Sequence, residues 1–130
     1  MGSVRVEGGA WIVLGIGVLI LPLRFLLGVI LAATFHELGH LAAMYFAGVQ
    51  IEGIIIHPFG VRIQSGPMEP GTEMICALAG PLAGAMTIFA WKWFPELAAS
   101  GLVQTIFNLI PIYPLDGGRV ARNICCKFLD

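Results

Sequence analysis

Between Ala10 and Val49 the chain is apolar almost throughout, interrupted only by Arg24 and by His36-Glu37-Leu38-Gly39-His40. Drawn as one helix, that run would be about 60 Å long at about 1.5 Å per residue, twice the roughly 30 Å of a bilayer's hydrocarbon core. It must therefore cross twice. The natural break is Leu21-Pro22-Leu23-Arg24, where a proline and a charge coincide. This predicts helices near 10–21 and 25–47, the first shorter than the roughly 20 residues of an ideal span. A cleaved signal peptide is a poor reading, because the apolar run continues far past signal length and no small-x-small site follows the first segment.

After Val49 the period changes. The runs QIEGIII and FGVRIQS are joined at HPFG, and Val61 and Ile63 alternate with Arg62 and Gln64, as on a half-buried strand. A β-hairpin is expected over 50–65, with Arg62 and Gln64 as its outward positions. SGPMEPGTE reads as a loop with Thr72 as a helix cap. A third helix is expected over 73–93. Its ALAGPLAGAM stretch allows close helix approach, Pro81 interrupts one backbone bond, and WKWF supplies interfacial aromatics at its end. A fourth apolar run, 97–112, holds Gln104 and Asn108 and breaks at PIYPLDGG. Residues 118–130 look like the start of a further helix.

The fold class expected is a mainly α-helical polytopic membrane protein. It is a single unit with about four transmembrane helices and a short membrane-associated β-hairpin after the second. Composition agrees: 58% of the 130 residues are hydrophobic and 12% are charged, against about a quarter charged in soluble domains. Mean hydropathy is +0.89. A net charge of -1 gives no basic footprint for nucleic acid. The cysteines, Cys76, Cys125 and Cys126, form no Cys-x-x-Cys pair and read as small apolar fillers.

Against this background the histidines stand out. His-x-x-x-His on a helix sets two imidazoles about 40° apart around the axis and one turn apart along it, so both reach one metal ion. Glu37 lies about 100° from His36, beside the metal, where it can take a proton from water. This is the zincin arrangement. The bland alternative is a pair of satisfied histidines near a membrane interface. The cost of three ionisable side chains in a membrane helix weighs against it. Catalytic zinc needs a third protein ligand and lowers the pKa of a water to about 7. Glu52, Glu69, Glu73 and Glu96 flank loops or helix ends and read as solvated charge. Asp116 sits where Pro111 and Pro114 break a helix, and irregular backbone at membrane depth is tolerated only when buried or lining a wet cavity. Asp116 is thus a site candidate, compatible with a second role as a helix cap. His57 reads as a turn or interface histidine rather than a fourth ligand.

HELGH followed by N-x-x-P-x-x-x-x-D-G resembles the site-2 protease family of intramembrane zinc metalloproteases, in particular its stage IV sporulation protein FB branch. The resemblance runs through the whole chain and includes HPFG and AGPLAG. It implies that His36, His40 and Asp116 bind one zinc per chain, that Glu37 activates water, and that Asn108 positions substrate or polarises its carbonyl. It further implies transmembrane or membrane-associated peptide substrates that add as an extended strand to a membrane-embedded sheet. Lipid and peptide are the expected partners; an oligomer is compatible but not readable. Family members continue past the DGG motif with further helices, so this chain is expected to be a minimal form or part of a longer one.

Parity of four helices puts the N-terminus, the hairpin and Asp116 on one side with Arg5, Arg62, Arg119, Arg122 and Lys127, against Arg24 and Lys92 on the other. The site end is therefore expected to face the cytoplasm, in a bacterial cell membrane by the family resemblance. Two rival functions remain: a catalytically silent membrane protein that holds zinc and binds peptides, and a metal transporter. Glu37 is intact, which does not favour the first. The second lacks polar residues spread over several helices.

Overall fold

A computed structural model describes residues 3–58, 60–112 and 115–129. The elements run β1 (Ser3–Val6), α1 (Gly8–Ile20), α2 (Leu23–Phe46), β2 (Ile51–His57), β3 (Gly60–Ser65), α3 (Pro70–Ala85), a 3-10 continuation over Met86–Ala90, α4 (Pro95–Asn108) and α5 (Asp116–Leu129). Among the described residues two helices, Leu23–Phe46 and Pro70–Ala90, are long and apolar enough to cross a membrane.

The distribution of polarity is the reverse of that in a water-soluble protein. Large apolar side chains such as Leu19, Ile20, Phe46, Phe89 and Trp93 lie outside, whereas the buried set includes His36, His40, Thr87, Thr105, Asp116 and Asn123. The buried apolar residues are mostly small: Ala32, Cys76, Ala77 and Ala98. Such an arrangement fits hydrocarbon around the helices and close backbone packing within. α1 buries no residue at all among those described.

α2 is the central element. Its buried residues are Gly28, Ala32, His36, His40 and Met44, each four apart. They form one continuous i±4 ridge, the row that packs into neighbouring helices. α3 and α4 are the helices it packs against. α2 ends at Phe46; just beyond it Gly48, with a φ of 74°, permits the turn, and the Val49 N–H donates back to the Met44 carbonyl at 2.9 Å.

Several boundaries differ from expectation. α3 begins at Pro70 with Glu69, not Thr72, at the cap position; proline suits the first helical position because its missing N–H would be unpaired there anyway. It tightens to 3-10 geometry at Met86 instead of continuing as an α-helix to 93. α4 likewise starts on a proline, Pro95, and stops at Asn108 rather than 112. Pro111, which has no N–H to donate, lies three residues beyond. α5 starts at Asp116 itself. Pro114 and Phe59 lie outside the described residues.

The sheet has three strands, ordered β1-β2-β3. β2 and β3 are antiparallel, with Ile56 opposite Val61 and Ile54 opposite Ile63. β1, unforeseen in the sequence, pairs parallel with β2. This covers one edge of β2 and leaves β3 as the outer strand on the other side. Glu7 N–H donates to the Ile56 carbonyl at 2.8 Å. A strand residue points its N–H and C=O the same way, so Ile56 faces β1 and Ile56–Val61 is a non-hydrogen-bonded pair. The amides directed at the free edge are therefore those of Val61 and Ile63, not Arg62 and Gln64.

Candidate active site

His36 and His40 lie one turn apart on the inward ridge of α2, both buried. Their rings meet edge to face, with centroids 4.7 Å apart. Asp116, the first residue of α5, reaches them from the far end of the chain. Asp116 Oδ2 is 2.9 Å from His36 Nε2 and 3.2 Å from His40 Nε2; the two Nε2 atoms are 3.1 Å apart. Three ligand atoms thus converge on one point.

The tautomer of His40 is fixed from behind. Its Nδ1 lies 2.7 Å from the Cys76 carbonyl on α3, which only accepts, so Nδ1 carries the hydrogen. In the neutral ring Nε2 is then a bare lone pair. A histidine whose outer nitrogen donates to a backbone carbonyl is the arrangement typical of a metal ligand. Gly80 makes this possible: a Cβ there would overlap the His40 ring. His36 Nδ1 is buried and has no hydrogen-bond partner among the described residues.

Could this group hold a metal? A tetrahedral zinc with bonds of about 2.0–2.1 Å separates its ligands by about 3.3 Å. The three observed separations, 2.9, 3.1 and 3.2 Å, lie close to that. Two imidazoles and a carboxylate are also a donor set zinc accepts. His36, His40 and Asp116 can therefore hold such an ion.

The group opens into a cavity of about 1050 Å³, lined by residues of α2, β2, β3, α3, α4 and α5. Glu37 lines it, half-buried, and no described side chain hydrogen-bonds its carboxylate. Asn108 lines it from α4 and donates to the Gln104 carbonyl at 2.8 Å, leaving one N–H and the amide oxygen for other partners. Gly60, Val61, Arg62, Ile63 and Ser65 form its strand wall. His57 also lines this cavity but stands outside the three-ligand group.

Of the four glutamates read as solvated charge, Glu52 and Glu69 are exposed. The other two are not simply solvated. Glu96 pairs with Arg24 at 3.2 Å. Glu73 lines the cavity and receives Arg122 at 2.9 Å and Arg119 at 3.4 Å. Sequence reasoning missed Glu73 because its partners lie 46 and 49 residues away.

No family model matches the chain. It is, however, 30% identical over 98% of its length to stage IV sporulation protein FB of Bacillus subtilis, covering 49% of that protein. It is 32% identical over 74% of its length to a zinc metalloprotease of Methanocaldococcus jannaschii, covering 32% of it. The chain thus spans about half the length of the first relative and less of the second. Its fold matches a solved site-2 protease from Methanocaldococcus jannaschii with a TM-score of 0.76 and 25% identity, over 98% of this chain and 69% of that one. The fold, the histidine pair and these likenesses agree: the chain belongs to the site-2 protease family.

Proposed function

We propose that the chain is the catalytic core of a membrane-embedded zinc metalloendopeptidase that hydrolyses peptide bonds of membrane-spanning or membrane-associated proteins. The observation that carries this reading is the convergence of two buried imidazole Nε2 atoms and a carboxylate oxygen, beside a Glu37 carboxylate that no described side chain hydrogen-bonds. His36, His40 and Asp116 would hold one zinc per chain. Zinc, when bound, supplies Lewis acidity, lowering the pKa of a water and polarising a carbonyl.

The rest falls to the chain's own residues. Glu37 acts as the general base: it accepts a proton as water attacks the scissile carbonyl carbon, and returns it to the nitrogen as the C–N bond breaks. Asn108, with one amide hydrogen already committed to Gln104, directs the other at the substrate carbonyl oxygen. Helical substrate is resistant because its backbone is already hydrogen-bonded. The free edge of β3, running along the same cavity, offers the Val61 and Ile63 amides as replacement partners for an unwound segment. By the distribution of Lys and Arg, this end of the molecule faces the cytoplasm.

The test is Glu37→Gln in the purified chain with a model membrane peptide. Cleavage should fall by at least about a thousandfold while zinc content stays at wild type, because the base and not a ligand is lost. A silent zinc holder would show no cleavage in wild type either. A transporter would move metal regardless of the substitution.

A further inference from the structure

Glu73 and Cys76 lie one turn apart in the first half of α3. The Cys76 carbonyl braces His40 from behind. Glu73 makes the corresponding contact with the element that carries Asp116. Along α5, Arg119 and Arg122 follow Asp116 by about one and about two turns, and both reach Glu73 Oε1, at 3.4 and 2.9 Å. Arg119 also approaches Asp116 Oδ1 at 3.9 Å. The Glu73 side chain is 16% exposed and that of Arg119 is 21% exposed. The pair is therefore shielded from water, and loss of one partner would leave the other with a charge it cannot easily solvate.

We propose that Glu73 is a positioning residue: by holding Arg119 and Arg122 it fixes the angle at which α5 presents Asp116 to His36 and His40. One helix then braces two of the three candidate ligands, His40 through a backbone carbonyl and Asp116 through an ion pair. The inference rests on the zinc reading of the site. It goes beyond that reading by assigning a role to a residue that touches neither the ion nor the substrate. Groups that orient metal ligands in this way set affinity, and their loss costs about 10–100-fold.

The experiment is zinc retention by the full chain in detergent, titrated with a chromophoric chelator. Glu73→Gln keeps the shape and removes the charge; it should release zinc about tenfold more readily. In an Asp116→Asn background the same change should add nothing, because Glu73 acts only through Asp116. Arg122→Gln, at an exposed position, breaks the shorter contact from the other side and should loosen zinc in the same direction, which keeps the proposal testable if Glu73→Gln does not fold. Glu52→Gln, exposed on β2, should change nothing. Wild-type retention in the folded Glu73 and Arg122 variants overturns the proposal and leaves the zinc site standing. So does a Glu73→Gln effect that multiplies fully with Asp116→Asn. If His36→Ala retains zinc as well as wild type does, the site itself is wrong and the proposal falls with it.

Discussion

Two polar clusters lie roughly 24 Å apart along α2, at about 1.5 Å per residue between Arg24 and His40. In the first, Arg24 meets Glu96 at 3.2 Å through Nε and again through Nη2, donates to the Trp93 carbonyl at 3.3 Å, and lies 5.0 Å over the Phe94 ring. In the second, the Nε2 atoms of His36 and His40 and an oxygen of Asp116 converge on one point. Both clusters join helices distant in sequence. The first is complete: its donors meet its acceptors, and the Arg24 side chain is 62% exposed. The second is buried and incomplete: His40 Nε2 and Asp116 Oδ2, both acceptors, face each other at 3.2 Å, and a neutral His36 has at most one hydrogen to give them at Nε2. Polar groups that satisfy one another hold a fold together, whereas convergent groups that do not are built around something else.

The sharpest way to break this contrast is His40→Ala. Zinc should fall from about one ion per chain to none that survives dialysis, because two protein ligands do not make a catalytic zinc site. Elemental analysis checks it, and undiminished zinc would mean the two clusters are alike after all. Next comes Gly80→Ala. The added methyl has no room beside the His40 ring, so the ring must turn away from the Cys76 carbonyl. Zinc should be held about tenfold more weakly while circular dichroism keeps its helical signal.

Proline substitutions sharpen the comparison at the cavity wall. Val61→Pro and Ile63→Pro remove amides from the free edge and should lower cleavage about tenfold with zinc retained. Arg62→Pro removes an amide directed at β2 and should instead destabilise the hairpin. Equal behaviour of all three would argue against strand addition. The smallest effect belongs to the complete cluster. Arg24→Gln should leave zinc content and cleavage at wild type, since an exposed ion pair contributes little.

How much of this was legible beforehand depends on the range of each interaction. His36, Glu37 and His40 are fixed by helical spacing within five residues, so their adjacency follows from the chain alone. Asp116 could be singled out because the prolines and glycines around it mark a break at membrane depth, although its distance to the histidines could not be read. β1 escaped because a strand of four residues, all exposed, has no periodic signature; it forms only because β2 offers it an edge. The assignment of edge amides failed for the same reason. Side-chain alternation says which way residues face, but the direction of their amides depends on which partner each strand residue bonds. Glu73 was read as solvated because its arginines belong to a helix that starts more than forty residues later.

The distance in sequence between the candidate ligands has a kinetic side. His40 and Asp116 are separated by 76 residues, so an ion held between them stitches a long segment of chain into a ring. Its binding energy is then partly the docking energy of α5. Stripped of metal, that helix should be the first part of the molecule to open. Its amides should exchange with deuterated solvent well before those of α2, and added zinc should slow them selectively.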